Sequence, residues 1–254
     1  YIVYYIFEKK NEALSRKIEG GVLVVSVFLY ACVSVLQNND IYFVVAMSAL
    51  TVMAVIYCIR YAGIVHINMS KKSYIIIIAV SGGLYILFVS FCMVTRYLSY
   101  GSPNFDMGLF SQMFYYMKHT FTMKTTCERD MLMSHMKVHI SPAWFLILPF
   151  YAIFESPVTI QVMQAVILAI PVILLAKICS NHNFSKKVTI LICAAYLFFP
   201  VISSGCGYDA HENMFLPLAL FMLIFAFETD KTWLLVLSVI FTLGIKEDAA
   251  VYVI

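Results

Sequence analysis

Four short polar segments interrupt the apolar runs of this sequence, and their side chains are of types that can catalyse or bind. The first is Asn104–Gln112, which follows Ser102 and Pro103 at the start of a predicted amphipathic helix. Asp106 falls in the first turn of that helix. Its carboxylate is either an acidic residue favoured by the helix dipole or a general base or metal ligand.

The second segment, Ser134–Pro142, contains two histidines and a lysine. His135 and His139 are four residues apart and would share one face of a helix, as two metal ligands do. Lys137 and the nearby Arg129 could instead bind a phosphate. The proline at the end of the segment disfavours a long helix, so solvated loop residues are the alternative.

The third and fourth segments are Gly205–Asn213 and Lys246–Asp248. Asp209 and Glu212 are three residues apart, and together with His211 they could bind a metal or the hydroxyls of a sugar. This segment is more polar than a simple turn requires. The alternative for the fourth segment is a loop whose charges compensate one another.

The composition indicates the class of protein. Of 254 residues, 62% are hydrophobic and 12% are charged, and the mean hydropathy is +0.88. Soluble domains have about 25% charged residues, so the sequence predicts an integral membrane protein. The net charge is only +3 and the 17 basic residues are dispersed, which argues against a nucleic-acid partner. No phosphate-binding glycine loop, dinucleotide fingerprint or hydrolase motif occurs, so we expect no nucleotide partner either.

Apolar runs predict the helices that position the polar segments, since about 20 apolar residues cross about 30 Å of hydrocarbon. We expect an all-α, polytopic bundle of transmembrane helices. The predicted spans are Gly20–Leu36, Ile41–Ile59, Tyr74–Val94 and Val158–Ile178, and the shorter ones are Val188–Ser203, Met214–Phe227 and Trp233–Ile245. Because the chain ends in an apolar run, we expect that it continues beyond residue 254.

The run Ala143–Phe154 has only 12 residues and carries prolines in and beside it. It predicts an interfacial helix that does not cross. In that case the basic residues that flank the spans, such as Lys71 and Lys186, all lie on the cytoplasmic side. The sequence then divides into N-terminal transmembrane helices (1–94), an extracytoplasmic loop with amphipathic and interfacial helices (95–157), and further transmembrane helices (158–254).

The polar segments are expected to meet. The predicted spans beside the third and fourth segments are short, so their charges should lie below the outer surface, where charges need water, partners or ligand. We therefore predict an outward-facing polar cleft. Its lining would be Asp106, Asp209, His211, Glu212 and Lys246.

In order and spacing, these segments resemble a bacterial family of multispanning membrane proteins of unknown function that is placed among the GT-C membrane glycosyltransferases. The family pattern is Phe-Asp-x-Gly-x-Phe, then His-x-Ser-Pro, then a stretch like Asp-x-His-x-Glu, then Lys-Glu-Asp. The matching residues are Phe105–Phe110, His139–Pro142, Asp209–Glu212 and Lys246–Asp248. The third stretch departs from the family's Phe-His-Pro-Glu form. The resemblance covers roughly Tyr100 to the end.

The resemblance implies a GT-C-like fold and an inverting transfer of sugar from a polyprenyl-phosphate donor to an acceptor on the extracytoplasmic face. Asp106 would be the catalytic base. A divalent metal such as Mg²⁺ or Mn²⁺ would be held by Asp106, Asp209 and Glu212. The substrate-binding residues would be Asp209, His211, Glu212, Lys246, Glu247, Arg129, Lys137 and His139.

Membrane lipids and the polyprenyl-phosphate donor are the implied partners, and Phe114 and Tyr115 would contact the polyprenyl chain. A membrane transporter or lipid flippase is the alternative from another class, because charges inside the membrane also mark transport paths. Such a protein would place its charges near the midplane of internally repeated helices, whereas here they collect on one side. A non-catalytic membrane protein of the same fold is the third alternative.

Overall fold

Helices dominate the computed structural model, which describes residues 12–37, 41–61, 69–102, 104–199, 202 and 209–254. The protein is an all-α bundle of membrane helices, so the fold class predicted from the sequence is confirmed. The chain divides into two units, Tyr1–Asn68 and Met69–Ile254.

The first unit contains α1 (Glu12–Gln37) and α2 (Ile41–Tyr61), which pack against each other. The Cys58 thiol donates a hydrogen bond to the Gly20 carbonyl at 3.1 Å. Helix α1 begins before the predicted span because the preceding Glu, Lys and Arg residues are good helix formers. Helix α2 matches the predicted apolar run to within two residues at its end.

The second unit contains the remaining described helices and two short strands. Its α-helices are α3 (Lys71–Leu98), α4 (Asn104–Thr120), α5 (Leu148–Ile153), α6 (Pro157–Ala169), α7 (Pro171–Asn181), α8 (Lys186–Leu197), α9 (Leu216–Glu228) and α10 (Thr232–Leu243). Its 3-10 helices are His135–Lys137, Pro142–Leu146, Glu212–Phe215 and Glu247–Tyr252. Strands β1 (Lys124–Thr125) and β2 (Met133–Ser134) pair antiparallel, with Lys124 opposite Ser134.

Three described helical stretches are long and apolar enough to cross a membrane. They are Tyr42–Arg60, Lys71–Leu98 and Pro157–Asn181, with mean hydropathies of 2.2, 2.5 and 2.4. Thr232–Leu243 is a shorter apolar helix. Each of these stretches overlaps a run that the sequence predicts and extends beyond it by one to four residues at one end or at both.

Prolines divide two runs that the sequence treats as single helices. The predicted span Val158–Ile178 consists of α6 and α7, and Pro171 begins the second of them. The predicted interfacial helix Ala143–Phe154 consists of a 3-10 helix and the short α5, in whose first turn Pro149 lies. Proline lacks the backbone donor that a continuous helix needs, so each run is interrupted there.

The helix bundle of the second unit has two ends, and basic residues collect at one of them. There, the Lys186 ammonium donates to the Met69 carbonyl at 2.8 Å. His182 Nε2 lies 2.8 Å from Glu228 Oε1. These contacts bring together the beginnings of α3 and α8 and the ends of α7 and α9.

The opposite end collects the polar segments, and we call it the motif end. Arg96, in the last turn of α3, binds Asp209 there. The backbone N–H of Ala143 donates to the Gly244 carbonyl at 2.8 Å, which joins the His-x-Ser-Pro segment to the end of α10. Three of the four segments therefore lie at the same end of the bundle.

An aromatic cluster around Trp144 holds these segments together. The Trp144 ring is fully buried, and its centroid lies 4.5 Å from that of Phe110, 5.6 Å from Phe114 and 5.8 Å from Phe215. Phe110 belongs to the first segment, Trp144 follows the second, and Phe215 follows the third. The hydrophobic core of the second unit is thus in direct contact with the polar segments.

Replacing Trp144 with alanine should destabilise the protein by about 3–5 kcal/mol, because it empties the centre of this cluster. The matched control is Trp233→Ala, since Trp233 is 67% exposed at the start of α10. Thermal unfolding of the purified protein in one detergent would compare the two variants. Equal losses of stability in both would contradict the role given to the cluster.

Candidate functional site

The most buried charge of the site is Asp209, whose side chain has no exposed surface. Arg96 Nη2 donates to Asp209 Oδ1 at 2.8 Å. The second carboxylate oxygen, Oδ2, is buried and has no hydrogen-bond partner among the described residues. A buried carboxylate requires a charged partner of this kind. Arg96 is therefore part of the site, although it precedes all four predicted segments.

A second buried carboxylate lies three residues later. Glu212 is 2% exposed, and its Oε1 lies 3.2 Å from the Lys246 ammonium. The adjacent His211 has Nδ1 3.7 Å from Glu212 Oε2 and accepts a hydrogen bond on Nδ1 from the backbone N–H of Asn213. With Nδ1 accepting that bond, a neutral His211 ring carries its proton on Nε2. The third and fourth segments thus meet in an ion pair.

The second and fourth segments also meet. Glu247 Oε1 lies 2.8 Å from His139 Nδ1, and Glu247 Oε2 accepts from the Ile140 backbone N–H at 3.1 Å. The hydrogen bond from His139, assisted by backbone donors, lowers the pKa of Glu247 from 4.5 to about 2. A lowered pKa stabilises the fold above pH 4.5, and that contribution is lost as the pH falls towards 2.

Lys246 and Glu247 thus find their partners outside their own triplet. The alternative of a loop whose charges compensate one another is therefore wrong for the fourth segment. Its two partners, Glu212 and His139, come from elements that precede it by 34 and 108 residues in the sequence.

The two histidines of the second segment each contact a carboxylate. His135 is buried, and its Nδ1 lies 2.6 Å from Glu128 Oε1 in a second buried contact. His139 is turned to Glu247. The two rings pack edge to face, with centroids 5.8 Å apart. Each histidine thus has its own carboxylate on Nδ1, and the His135 ring also packs edge to face against Phe110.

Three predicted site residues stand apart from this network. Asp106 is half-buried in the first turn of α4, and it makes no ion pair or hydrogen bond with other residues in the described part of the chain. Arg129 and Lys137 are exposed and equally without such contacts there. Helix α4 reaches the network through Phe110 and the Trp144 cluster. It is also held to α6 by Gln161, which donates to the Met107 sulfur at 3.4 Å.

The predicted metal site does not fit these contacts. Asp209 and Glu212 each direct one carboxylate oxygen at a cation, Arg96 and Lys246, and these side chains supply the positive charge that the prediction gave to a metal. Within the described ranges, no group of three His, Cys, Asp or Glu side chains could hold a metal. We therefore route no chemical step through a metal.

The polyprenyl contacts expected from the resemblance need one correction. Phe114 is fully buried against Trp144 and Tyr151, so it cannot contact a lipid chain. Tyr115, one position further along α4, is 51% exposed. The helical repeat explains the difference, because neighbouring positions point to different faces.

An apolar groove leads to Arg96, and we call it the α3–α8 groove. Its volume is about 480 Å³, and its lining includes Leu84, Phe88, Val89, Leu197 and Phe198. Along α3 it extends from Ser81 to Arg96, about 22 Å at 1.5 Å per residue. Arg96 is the one charged residue among those that line it in the described chain.

The long apolar helices and the buried charges at one end define an integral membrane protein with a polar site beside its core. Residues 96–254 match the family described as predicted membrane protein (DUF2079), and the chain belongs to that family. The match begins at Arg96 and includes all four segments. No curated protein and no solved structure matches the chain.

Proposed function

We propose that the protein is an inverting glycosyltransferase that moves a sugar from a polyprenyl-phosphate donor to an acceptor at the motif end. One observation carries this proposal: an apolar groove along a candidate span ends at an arginine, and that arginine contacts a fully buried aspartate. A long isoprenoid chain with an anionic phosphate has the matching chemistry, since the groove receives the chain and the guanidinium receives the phosphate.

Arg96 can bind a phosphate and Asp209 together. A guanidinium has five N–H donors, and one of them is given to Asp209. Arg96 Nε has no hydrogen-bond partner within the described chain. Lys246 adds a second positive charge near the site, and together these cations would stabilise the phosphate as it leaves. Arg96 thus takes the role that the resemblance gave to Lys137 and Arg129.

Asp106 is the proposed general base. Asp209, Glu212 and Glu247 each hold a cation or a histidine, whereas the Asp106 carboxylate is uncommitted within the described residues. It would take the proton from the acceptor hydroxyl. The hydroxyl oxygen then bonds to the anomeric carbon of the sugar, and the bond from that carbon to the phosphate oxygen breaks. Its electron pair remains on the lipid phosphate, and the anomeric configuration inverts.

The same proposal assigns the motif end to the extracytoplasmic side of a multi-pass protein. The opposite end of the bundle carries Lys71 and Lys72 at the start of α3, Lys186 and Lys187 at the start of α8, and Lys231 before α10. Positive charges of short loops stay in the cytoplasm. Segment 99–156 would then begin and end outside, and α5 would not cross.

Cysteine labelling tests this orientation. Ser156 precedes α6 and Ser185 precedes α8, so Ser156→Cys should react with an impermeant maleimide from outside and Ser185→Cys only after the cytoplasmic side is opened. Both changes are made in a variant lacking the seven native cysteines. Reaction of Ser156→Cys from the cytoplasm and Ser185→Cys from outside would reverse the orientation.

Photolabelling with a diazirine-bearing polyprenyl phosphate tests the donor site. The wild-type full-length protein should be labelled, and Ala194→Trp, which fills the α3–α8 groove, should reduce labelling at least tenfold. The double variant Arg96→Met/Asp209→Asn should also reduce labelling at least tenfold, and it leaves no buried charge without a partner. Uncharged polyprenol should not distinguish that double variant from the wild type. Equal phosphate labelling of all three proteins would refute the donor site.

A further inference from the structure

A second groove opens on the other side of α8. It has a volume of about 980 Å³ and lies between α6, α8 and α9. Its apolar lining includes Leu168, Phe199, Leu220, Phe221 and Ile224. The Tyr196 hydroxyl, which donates to the Leu168 carbonyl at 2.8 Å, ties two of its walls together.

The polar groups of this second groove differ in charge from those of the first. The α3–α8 groove has Arg96, whereas the second groove has His211, Asn213 and Gln164. These three side chains form hydrogen bonds and carry no formal charge when the histidine is neutral. The side chain of His211 is 34% exposed, and in its neutral form Nε2 is the donor because Nδ1 accepts from the backbone. These groups suit hydroxyls rather than a phosphate.

The length of the groove matches one lipid leaflet. From Asn213 to Ile224 it extends over eleven residues, through the end of the Glu212–Phe215 3-10 helix and into α9, about 16 Å at 1.5 Å per residue. The hydrocarbon core is about 30 Å thick, so one leaflet supplies about 15 Å. A lipid chain in the outer leaflet would therefore lie along the groove with its headgroup beside His211.

The two grooves lead to neighbouring residues of the third polar segment, of which the structure describes residues 209–213. Ala194 lines the α3–α8 groove, and the next residue, Ala195, lines the second groove. At the motif end, Arg96 contacts Asp209 and His211 adjoins Glu212. A lipid in each groove would bring its headgroup to one side of Asp209–Glu212.

We propose that the acceptor is itself a membrane lipid with a hydroxyl-bearing headgroup, held by its hydrocarbon chain in the second groove. This inference rests on the proposed function, since it names the class of acceptor for that transfer. Both substrates would then be delivered from the bilayer, and the sugar would cross from one lipid to the other past Asp209–Glu212.

The test uses the full-length protein in vesicles of a total bacterial lipid extract, with a radiolabelled polyprenyl-phosphate sugar. Radioactivity should appear in a second lipid. Ala195→Trp fills the second groove and should reduce this product at least tenfold while photolabelling by the polyprenyl phosphate stays unchanged. Ala194→Trp, the matched control on the other face of α8, should reduce both.

Labelling with a diazirine-bearing diacylglycerol separates the possible failures. If the donor is consumed, but only by a water-soluble acceptor and equally in Ala195→Trp, the lipid acceptor is refuted and the glycosyltransferase stands. If the donor is not consumed at all, the proposed function fails and the acceptor assignment fails with it. If diacylglycerol does not label residues 216–224, another part of the chain or a second copy covers the groove, which also refutes the inference.

Discussion

Asp106→Asn should lower sugar transfer by about 10²–10⁴-fold and leave the fold and donor photolabelling unchanged. The change is nearly isosteric and removes only the charge that would accept the proton, and loss of a general base costs about this much. In activation free energy this is about 2.7–5.4 kcal/mol. A purely structural Asp106 would contribute through the helix dipole of α4, which is worth only about 0.3–1 kcal/mol of stability.

Asp230→Asn is the matched control for that experiment. Asp230 is exposed at the other end of the bundle and has φ 51°, a backbone conformation that asparagine also adopts. It should retain full transfer. Near-complete transfer by Asp106→Asn, with a small loss of stability in Asp106→Ala, would make Asp106 a helix-start residue and remove the catalytic assignment.

The buried pair of Glu212 and Lys246 gives the second large effect. Glu212→Gln or Lys246→Met alone should destabilise the protein by about 3–5 kcal/mol, because each leaves a mostly buried charge without its partner. The double variant should recover much of that loss, since no charge is then left unpaired. Thermal unfolding of the four proteins would give the coupling free energy of the pair.

An exposed pair from the same unit supplies the comparison. Lys118 and Glu155 join α4 to the start of α6, with side chains 27% and 35% exposed. Lys118→Met/Glu155→Gln and its single variants should each change the unfolding temperature only slightly, because exposed ion pairs contribute little to stability. The loss of stability in the double variant of Glu212 and Lys246 could equal the sum of the two single losses, or the losses could be as small as those of the exposed pair. In either case the buried ion pair does not hold the two segments together.

The sequence predicts the apolar helices well because their signal is local. The bounds of α2 follow from an unbroken apolar run, and α3 extends beyond its predicted run by three residues at its start and four at its end. The breaks at Pro149 and Pro171 were harder to predict, because composition over a window averages across a single residue. Both positions could nevertheless be recognised from the prolines themselves, because proline lacks the backbone N–H that a continuous helix needs.

The site is less predictable because its contacts are distant in sequence. The residue types at Asp209, Glu212 and Lys246 mark them as candidates, but their pairing depends on how α3, α8 and α10 pack. Arg96 looked like one cation of a long loop, although a charge at the end of an apolar helix was a usable signal. Burial of Phe114 beside an exposed Tyr115 likewise depends on which face of α4 meets Trp144.

The most direct test of the proposed function is the fate of a radiolabelled polyprenyl-phosphate sugar in vesicles containing the purified full-length protein. We expect the wild type to release the sugar from its lipid phosphate and to form a glycoside of inverted anomeric configuration, and Asp106→Asn to leave the donor intact. If the wild type leaves the donor intact, or only moves it between leaflets as a flippase would, the protein is not the glycosyltransferase proposed here.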